Sequence, residues 1–293
     1  MKLAFLGTPE VAARTLNALV EAGHDVRAVV TRADTRRGRG GDASPSPVKR
    51  VALELGLAVV HAPGEALAFG ADLGVVVAYG RLVKPDVLAQ LPMVNIHFSL
   101  LPRWRGAAPV ERSILAGDTV TGVCIMALEE GLDTGPVYAR QEVAIGEEET
   151  AAELRQRLGD VGTGMLLRLL SADLPEPVPQ EGEATYAAKL AMDELRLDFA
   201  AGARACHRVV RVGRAWTTFR GRRFLVHRAA VEASDGSGQV ALGPGQVAGD
   251  RVGTGDADVH LRLLEVQPEG KPRMHGSDWA RGARPEPGER FGA

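Results

Sequence analysis

The chain has 293 residues, 45% of them hydrophobic and 25% charged, with a formal net charge of -2. That length and balance fit a soluble globular protein of one large or two ordinary domains. No apolar run approaches the roughly 20 residues a membrane helix needs. The two cysteines, Cys124 and Cys206, stand too far apart for a metal-ligand or redox spacing, so each reads as apolar filler in a cytoplasmic protein.

In chain order, residues 2–6 and 26–30 are short apolar runs separated by a helical pattern. The first reads as a strand rather than a signal peptide. Thr8 before Pro9 suits an N-cap and first helical position, and Ala22-Gly23-His24 a helix stop. Gly7-Thr8-Pro9-Glu10 occupies the place of a dinucleotide phosphate loop but lacks its glycine spacing, so a tight turn without a nicotinamide cofactor is expected. Residues 31–50 gather Arg32, Arg36, Arg37, Arg39, Lys49 and Arg50 against Asp34 and Asp42, an excess of 6 − 2 = 4 positive charges. Such a loop after the second strand lies near the carboxyl ends of the sheet, where ligands bind, and suits contact with a phosphate backbone. A solvated charged loop is the plainer alternative. Residues 48–55 then read as a helix after Ser44-Pro45-Ser46-Pro47. Residues 73–78, with Val75-Val76-Val77, read as a strand buried on both faces, and residues 93–97 as the next strand. The alternation predicts an open, parallel sheet with right-handed crossovers.

Asn95 and His97 end the last of those strands, two positions apart and therefore on one face. An amide beside an imidazole suits acyl or formyl transfer, in which one group binds a developing oxyanion and another moves a proton. Taken alone, His97 reads first as a core histidine and Asp133, in Gly131-Leu132-Asp133-Thr134-Gly135, as a turn aspartate; Asn95 two positions earlier shifts the balance for His97, because a polar pair at a strand end is costly unless partnered. The remaining histidines form no pair at metal-ligand spacing, so no metal is expected.

Residues 122–128 and 137–145 read as two strands flanking that turn. Thr150 and Glu153 form a capping-box pattern for a helix reaching about residue 170. Leu174-Pro175-Glu176-Pro177-Val178-Pro179 has the composition of a linker. After a helical stretch at 202–210, residues 215–219, 223–231, 245–248 and 259–266 read as short strands with glycine-rich turns, a small barrel or sandwich. Residues 285–293 read as a loose tail. The expected division is a domain over 1–173, a linker over 174–201 and a second domain over 202–293. Charge follows it: residues 1–199 carry 20 Lys+Arg against 27 Asp+Glu, a balance of 20 − 27 = −7, and residues 200–293 carry 15 against 10, a balance of 15 − 10 = +5. Eight arginines and no acidic residue lie between Phe199 and Val231. That asymmetry points to a polyanion as partner of the C-terminal part.

The motifs together resemble the methionyl-tRNA formyltransferase family over nearly the whole chain. The matching stretches are Gly7-Thr8-Pro9-Glu10, Pro45-Ser46-Pro47-Val48-Lys49, Val75-Val76-Val77-Ala78-Tyr79-Gly80, Ser99-Leu100-Leu101-Pro102-Arg103-Trp104-Arg105-Gly106-Ala107-Ala108-Pro109, Gly131-Leu132-Asp133-Thr134-Gly135 and Tyr186-Ala187-Ala188-Lys189-Leu190. Asn-x-His with Ser-Leu-Leu-Pro is shared by enzymes that use 10-formyltetrahydrofolate, so that pair by itself points only to the superfamily. The resemblance implies a Rossmann-like, mostly parallel α/β domain followed by an OB-like β-barrel that helps to hold tRNA. It implies Asn95, His97 and Asp133 as the catalytic trio, with Ser99, Leu100, Leu101 and Pro102 lining the folate pocket, largely through backbone contacts. Arg39 matches a loop arginine that engages the acceptor end of initiator tRNA, and Arg36, Arg37 and Lys49 join it as expected tRNA contacts. The implied co-substrate is 10-formyltetrahydrofolate and the implied partner charged initiator tRNA, for a monomer without membrane attachment. A formyltransferase acting on a sugar amine or other small amine, and a nucleic-acid-binding module without catalysis, are the competing readings. Phe98 stands where many relatives carry glycine, residues 61–72 make a short crossover, and the turn at Val212-Gly213-Arg214 is abbreviated.

Overall fold

The computed structural model of the protein describes residues 1–36, 43–172, 174–233 and 242–292. The chain divides into two compact units: Met1–Val110 with Thr119–Ile145 and Glu153–Ala188, and Glu111–Asp118 with Gly146–Ala152 and Lys189–Ala293.

In order, the first elements are β1 (Lys2–Gly7), α1 (Glu10–Glu21), β2 (Asp25–Val30), β3 (Thr35–Arg36), β4 (Ala43–Ser44), α2 (Pro47–Glu54), β5 (Val59–Val60), β6 (Leu73–Val77), α3 (Pro85–Leu88), β7 (Met93–His97), α4 (Pro109–Ala116), β8 (Val120–Ala127), β9 (Val137–Ala144) and α5 (Ala151–Leu170). Seven of these strands form one sheet in the order β5-β2-β1-β6-β7-β8-β9. Pairing is parallel from β5 through β7, as the strand–helix alternation predicts. The last two strands pair antiparallel instead. For β9 the physical reason is connection length: residues 128–136 are too few for a parallel crossover, which takes a dozen or more, so β9 returns directly beside β8.

The chain leaves β1 toward β2 and β5, then crosses back to β6 on the other side of β1, so the sheet has a topological switch point between β1 and β6. β7 is the next strand out, and His97 ends it. The central strands are apolar on both faces, with every residue of β6 buried, because helices cover the sheet. On α5, Gly162 leaves no room for a methyl group before Ile96 of β7, so the missing side chain lets helix and strand approach. Sequence and structure differ in small ways here. Pro9, not Thr8, caps α1, and the short connection over 61–72 holds a 3-10 helix, Pro63–Phe69, in place of an α-helix. Ser46 caps α2 by accepting from the Lys49 amide, and its hydroxyl also meets that of buried Thr31.

The second unit contains α6 (Ala203–Val212), β10 (Ala215–Phe219), β11 (Arg222–Ala233), β12 (Val247–Ala248), β13 (Arg251–Gly253), β14 (Val259–Pro268), β15 (Met274–His275) and α7 (Gly276–Ala283). Its sheet runs β10-β11-β14-β13-β12 with β15 on β14, all antiparallel, the small β domain expected after the α/β domain. The core is aromatic: Phe219, Phe224, Trp279 and Phe291 pack with ring centroids between 4.9 and 6.5 Å. The expectation of a loose tail over 285–293 is therefore wrong. Phe291 is 5% exposed in that core, its amide donates to the Gly245 carbonyl at 2.8 Å, and the Val247 amide donates to Glu289 at 2.9 Å. One aromatic among glycines and prolines leaves no periodic signal, yet its burial outweighs the local disorder of the segment.

Candidate active site

The site forms in the first unit where β7 ends. His97 is 5% exposed. Its Nε2 lies 2.9 Å from the Trp104 carbonyl, which can only accept, so Nε2 carries the proton and the neutral ring presents a bare Nδ1. That Nδ1 faces the Asp133 carboxylate, 12% exposed, at 3.6 Å. Burial lowers the His97 pKa below the usual histidine value, against the opposing pull of Asp133 and of the Trp104 carbonyl. The ring is therefore neutral at pH 7, next to a carboxylate that favours its protonated form.

Asp133 reaches this place from the β8–β9 turn, with φ at 51°, and its Oδ2 accepts the Gly106 amide at 2.7 Å. Trp104 also has a left-handed backbone, φ 63°, which turns its carbonyl onto His97. Asn95 lies two residues before His97 on the same strand, half-buried, in register with Val76 of β6 and Met126 of β8. The three polar residues read from the sequence thus belong to one strand end and one adjoining turn.

The Ser99–Pro102 stretch divides. Ser99 and Leu101 are buried: the Ser99 hydroxyl donates to the Arg103 carbonyl, and Leu101 packs with Cys124, Met126 and Val137. Leu100 and Pro102 remain partly exposed. Phe98 is buried. Lys49 pairs with Asp34, its Nζ 2.9 Å from the carboxylate. Arg36 supplies backbone to β3, and Arg37 and Arg39 lie outside the described residues.

Three partners of the site have no counterpart among the sequence motifs for catalysis. Thr185 accepts the Trp104 amide through its hydroxyl at 2.9 Å and the Arg105 amide through its carbonyl at 2.8 Å. Gln180 donates to the carbonyls of Asp133 and Gly135, at 2.9 and 2.8 Å. Arg105 donates twice to the Gln180 side-chain oxygen. Two of the three come from residues 174–188, which by composition belong to a linker but pack with the first unit. Their contacts reach across 45 to 81 residues, which a local pattern does not carry.

A doubly wound sheet with an amide and a histidine at one strand end and a carboxylate on the adjoining turn places the protein in the α/β class, with polar groups that a group-transfer reaction can use. Family comparison specifies the group: the formyl transferase model matches residues 1–170, and the formyl transferase C-terminal domain model residues 189–284. The methionyl-tRNA formyltransferase of Thermobifida fusca is 43% identical over 100% of this chain and 99% of that protein. The chain belongs to the methionyl-tRNA formyltransferase family. Among solved structures, methionyl-tRNA formyltransferase from Clostridium thermocellum matches with a TM-score of 0.59 at 15% identity, covering 90% of this chain and 99% of that one. An N-formyltransferase from Helicobacter canadensis, in complex with folinic acid and dTDP-3-aminofucose, matches with a TM-score of 0.68, again at 15% identity over 90% and 99% of the two chains. At that identity both likenesses concern the fold.

Proposed function

We infer that the protein transfers a formyl group from 10-formyltetrahydrofolate to the amino group of methionine carried by initiator tRNA, the step that prepares this tRNA for translation initiation. The observation that carries the reading is the His97–Asp133 arrangement, with Nε2 fixed by Trp104 and Nδ1 bare, in a chain 43% identical to a methionyl-tRNA formyltransferase over its full length. Fold likeness supports a tRNA acceptor and a sugar acceptor alike; the full-length sequence likeness favours the tRNA.

In this reading the α-amino group, with a pKa around 8, reaches the site largely protonated and must lose a proton before attack. Neutral His97 accepts that proton at Nδ1, and Asp133 stabilises the imidazolium. The amine lone pair then attacks the formyl carbon, and the carbonyl oxygen takes up negative charge. The Asn95 amide donates a hydrogen bond to that oxyanion. Collapse breaks the bond to folate N10, which takes up the proton held by His97, and the nitrogen that attacked sheds its second proton to the now neutral ring and from there to solvent. Leu100 and Pro102 border the folate, with Ser99 and Leu101 shaping the loop behind them. Arg36, Arg37, Arg39 and Lys49 bind tRNA phosphates, and the basic module over 202–293 adds contacts beyond the catalytic domain over 1–173. The enzyme works as a cytoplasmic monomer.

The test is formyl transfer from 10-formyltetrahydrofolate to charged initiator tRNA, beside charged elongator tRNA, free methionine and an amino sugar nucleotide. The expected outcome is transfer to initiator tRNA with the highest kcat/KM by orders of magnitude. Equal efficiency with free methionine or the amino sugar overturns the reading.

A further inference from the structure

We propose that Gln180 is a positioning residue for formyl transfer, the tie that holds the Trp104–Gly106 loop and the Asp133–Gly135 turn in one fixed relation. The proposal rests on the formyl-transfer reading above. Gln180 uses its whole amide: Nε2 donates to the Asp133 carbonyl at 2.9 Å and to the Gly135 carbonyl at 2.8 Å, while Oε1 accepts from Nε and Nη2 of Arg105 at 3.1 and 2.7 Å. A primary amide offers two N–H donors and one oxygen with two lone pairs, so all four places are filled. The carbonyls can only accept and the guanidinium can only donate, which also fixes the orientation of the amide.

Each end of the tie leads to a group of the site. The two carbonyls lie on Asp133 itself and two residues beyond it. Arg105 stands between Trp104, whose carbonyl receives the His97 Nε2–H, and Gly106, whose amide donates to Asp133 Oδ2 at 2.7 Å. Gln180 therefore acts through backbone and guanidinium, not on the reacting atoms. Its own backbone is anchored on both sides: Val178 pairs with Val137, and Thr185 and Ala187 pair with Arg105. A glutamate at this position keeps the acceptor for Arg105 but turns oxygen toward two carbonyl oxygens. An alanine removes both halves of the tie. The groups that face His97 are the Asp133 carboxylate and, in register on β8, Cys124, whose thiol is held protonated by burial; the Arg105 guanidinium is engaged by Gln180.

The test compares Gln180→Ala and Gln180→Glu with the wild type, with Asp133→Asn, and with Gln180→Ala combined with Asp133→Asn, after thermal melts establish that each variant folds. Gln180→Ala should lower kcat by roughly 10- to 100-fold, the cost of misplacing a reacting geometry by a fraction of an ångström to an ångström, with KM for folate and tRNA within about threefold. Gln180→Glu should be at least as impaired. Added to Asp133→Asn, Gln180→Ala should cost less than about threefold more, because the geometry it protects is already lost. A side-chain 15N spectrum of His97 gives a readout that needs no turnover. In Gln180→Ala the proton should no longer be confined to Nε2, and the titration midpoint should move to lower pH as Asp133 drifts from the ring. A kcat within twofold of wild type, losses that multiply in the double variant, or an unchanged His97 spectrum overturns the proposal. Absence of formyl transfer by the wild type, with the His97 spectrum responding as described, overturns the reaction assignment and leaves the tie standing.

Discussion

Trp104 does what its aromatic side chain does not announce: its left-handed backbone aims a carbonyl at His97 and selects the tautomer. A histidine so fixed has one free nitrogen, so a single proton-accepting position faces Asp133. His97→Ala should lower kcat/KM by about 10²- to 10⁴-fold, the usual worth of a positioned general base, with tRNA affinity nearly unchanged. Parallel formylation and filter-binding assays check both halves, and a rate near wild type would remove His97 from the mechanism. The pH dependence has a definite sign. Burial favours the neutral ring and Asp133 the charged one, and burial wins, so the imidazole loses its proton below the usual histidine pKa. Activity that depends on neutral His97 should hold from pH 7 down to that usual value and fall only at more acid pH. Asp133→Asn removes the one charge that raises the His97 pKa, so the acid limb of its residual activity should move lower still. A pH–rate profile of both proteins decides the matter; a limb that moves to higher pH contradicts the assignment.

At the scale of elements, the site depends on two neighbours holding a loop between them. Residues 178–187 pair with Val137 and with Arg105, closing the site loop from one side. On β8, Gly122 faces Leu100, and a methyl group there would meet both the Leu100 side chain and the Gln141 carbonyl of β9. Gly122→Ala should therefore cost about 1–3 kcal/mol, the usual penalty of overpacking, and raise KM for 10-formyltetrahydrofolate by displacing Leu100. Urea unfolding and steady-state kinetics test the two effects, and a variant as stable as wild type would mean that the strands can part without cost. The elements named by their own periodicity or punctuation (β1, α2, β6, β7 and α5) stand close to where the sequence places them. Those set by distant partners do not: Gln180 sits in a proline-rich segment, and Phe291 in a glycine-rich terminus, each ordered by partners far along the chain.

For the whole molecule, the separation of charge is the property that bears on the acceptor. The acidic N-terminal 199 residues and the basic remainder, at −7 and +5, suit an enzyme that takes one small anionic co-substrate and one polyanion. If arginines of the C-terminal unit meet tRNA phosphates, tRNA affinity should fall steeply with salt, while KM for the folate should respond weakly. Arg222→Ala with Arg223→Ala should flatten the dependence of log affinity on log salt by about 0.7–1 for each phosphate the variant no longer neutralises. Both residues are exposed on β11, where the Arg223 guanidinium lies 4.5 Å over the Trp216 ring, so a thermal melt accompanies the binding assay to separate lost packing from lost charge. An unchanged slope would place the tRNA elsewhere.

The strand–helix alternation, the pairing of Asn95 with His97 on one face, the charge asymmetry and the family are legible in the unfolded chain, because each is written in neighbouring residues or in summed composition. Which nitrogen of His97 is free, that Asp133 faces it, that Ser99 and Leu101 turn inward, and that the apparent linker braces the site emerge with the folded molecule. The hydrogen bonds behind those outcomes run from the near one between His97 and Trp104 to the distant one between Trp104 and Thr185, and their geometry exists only once the chain has closed those loops.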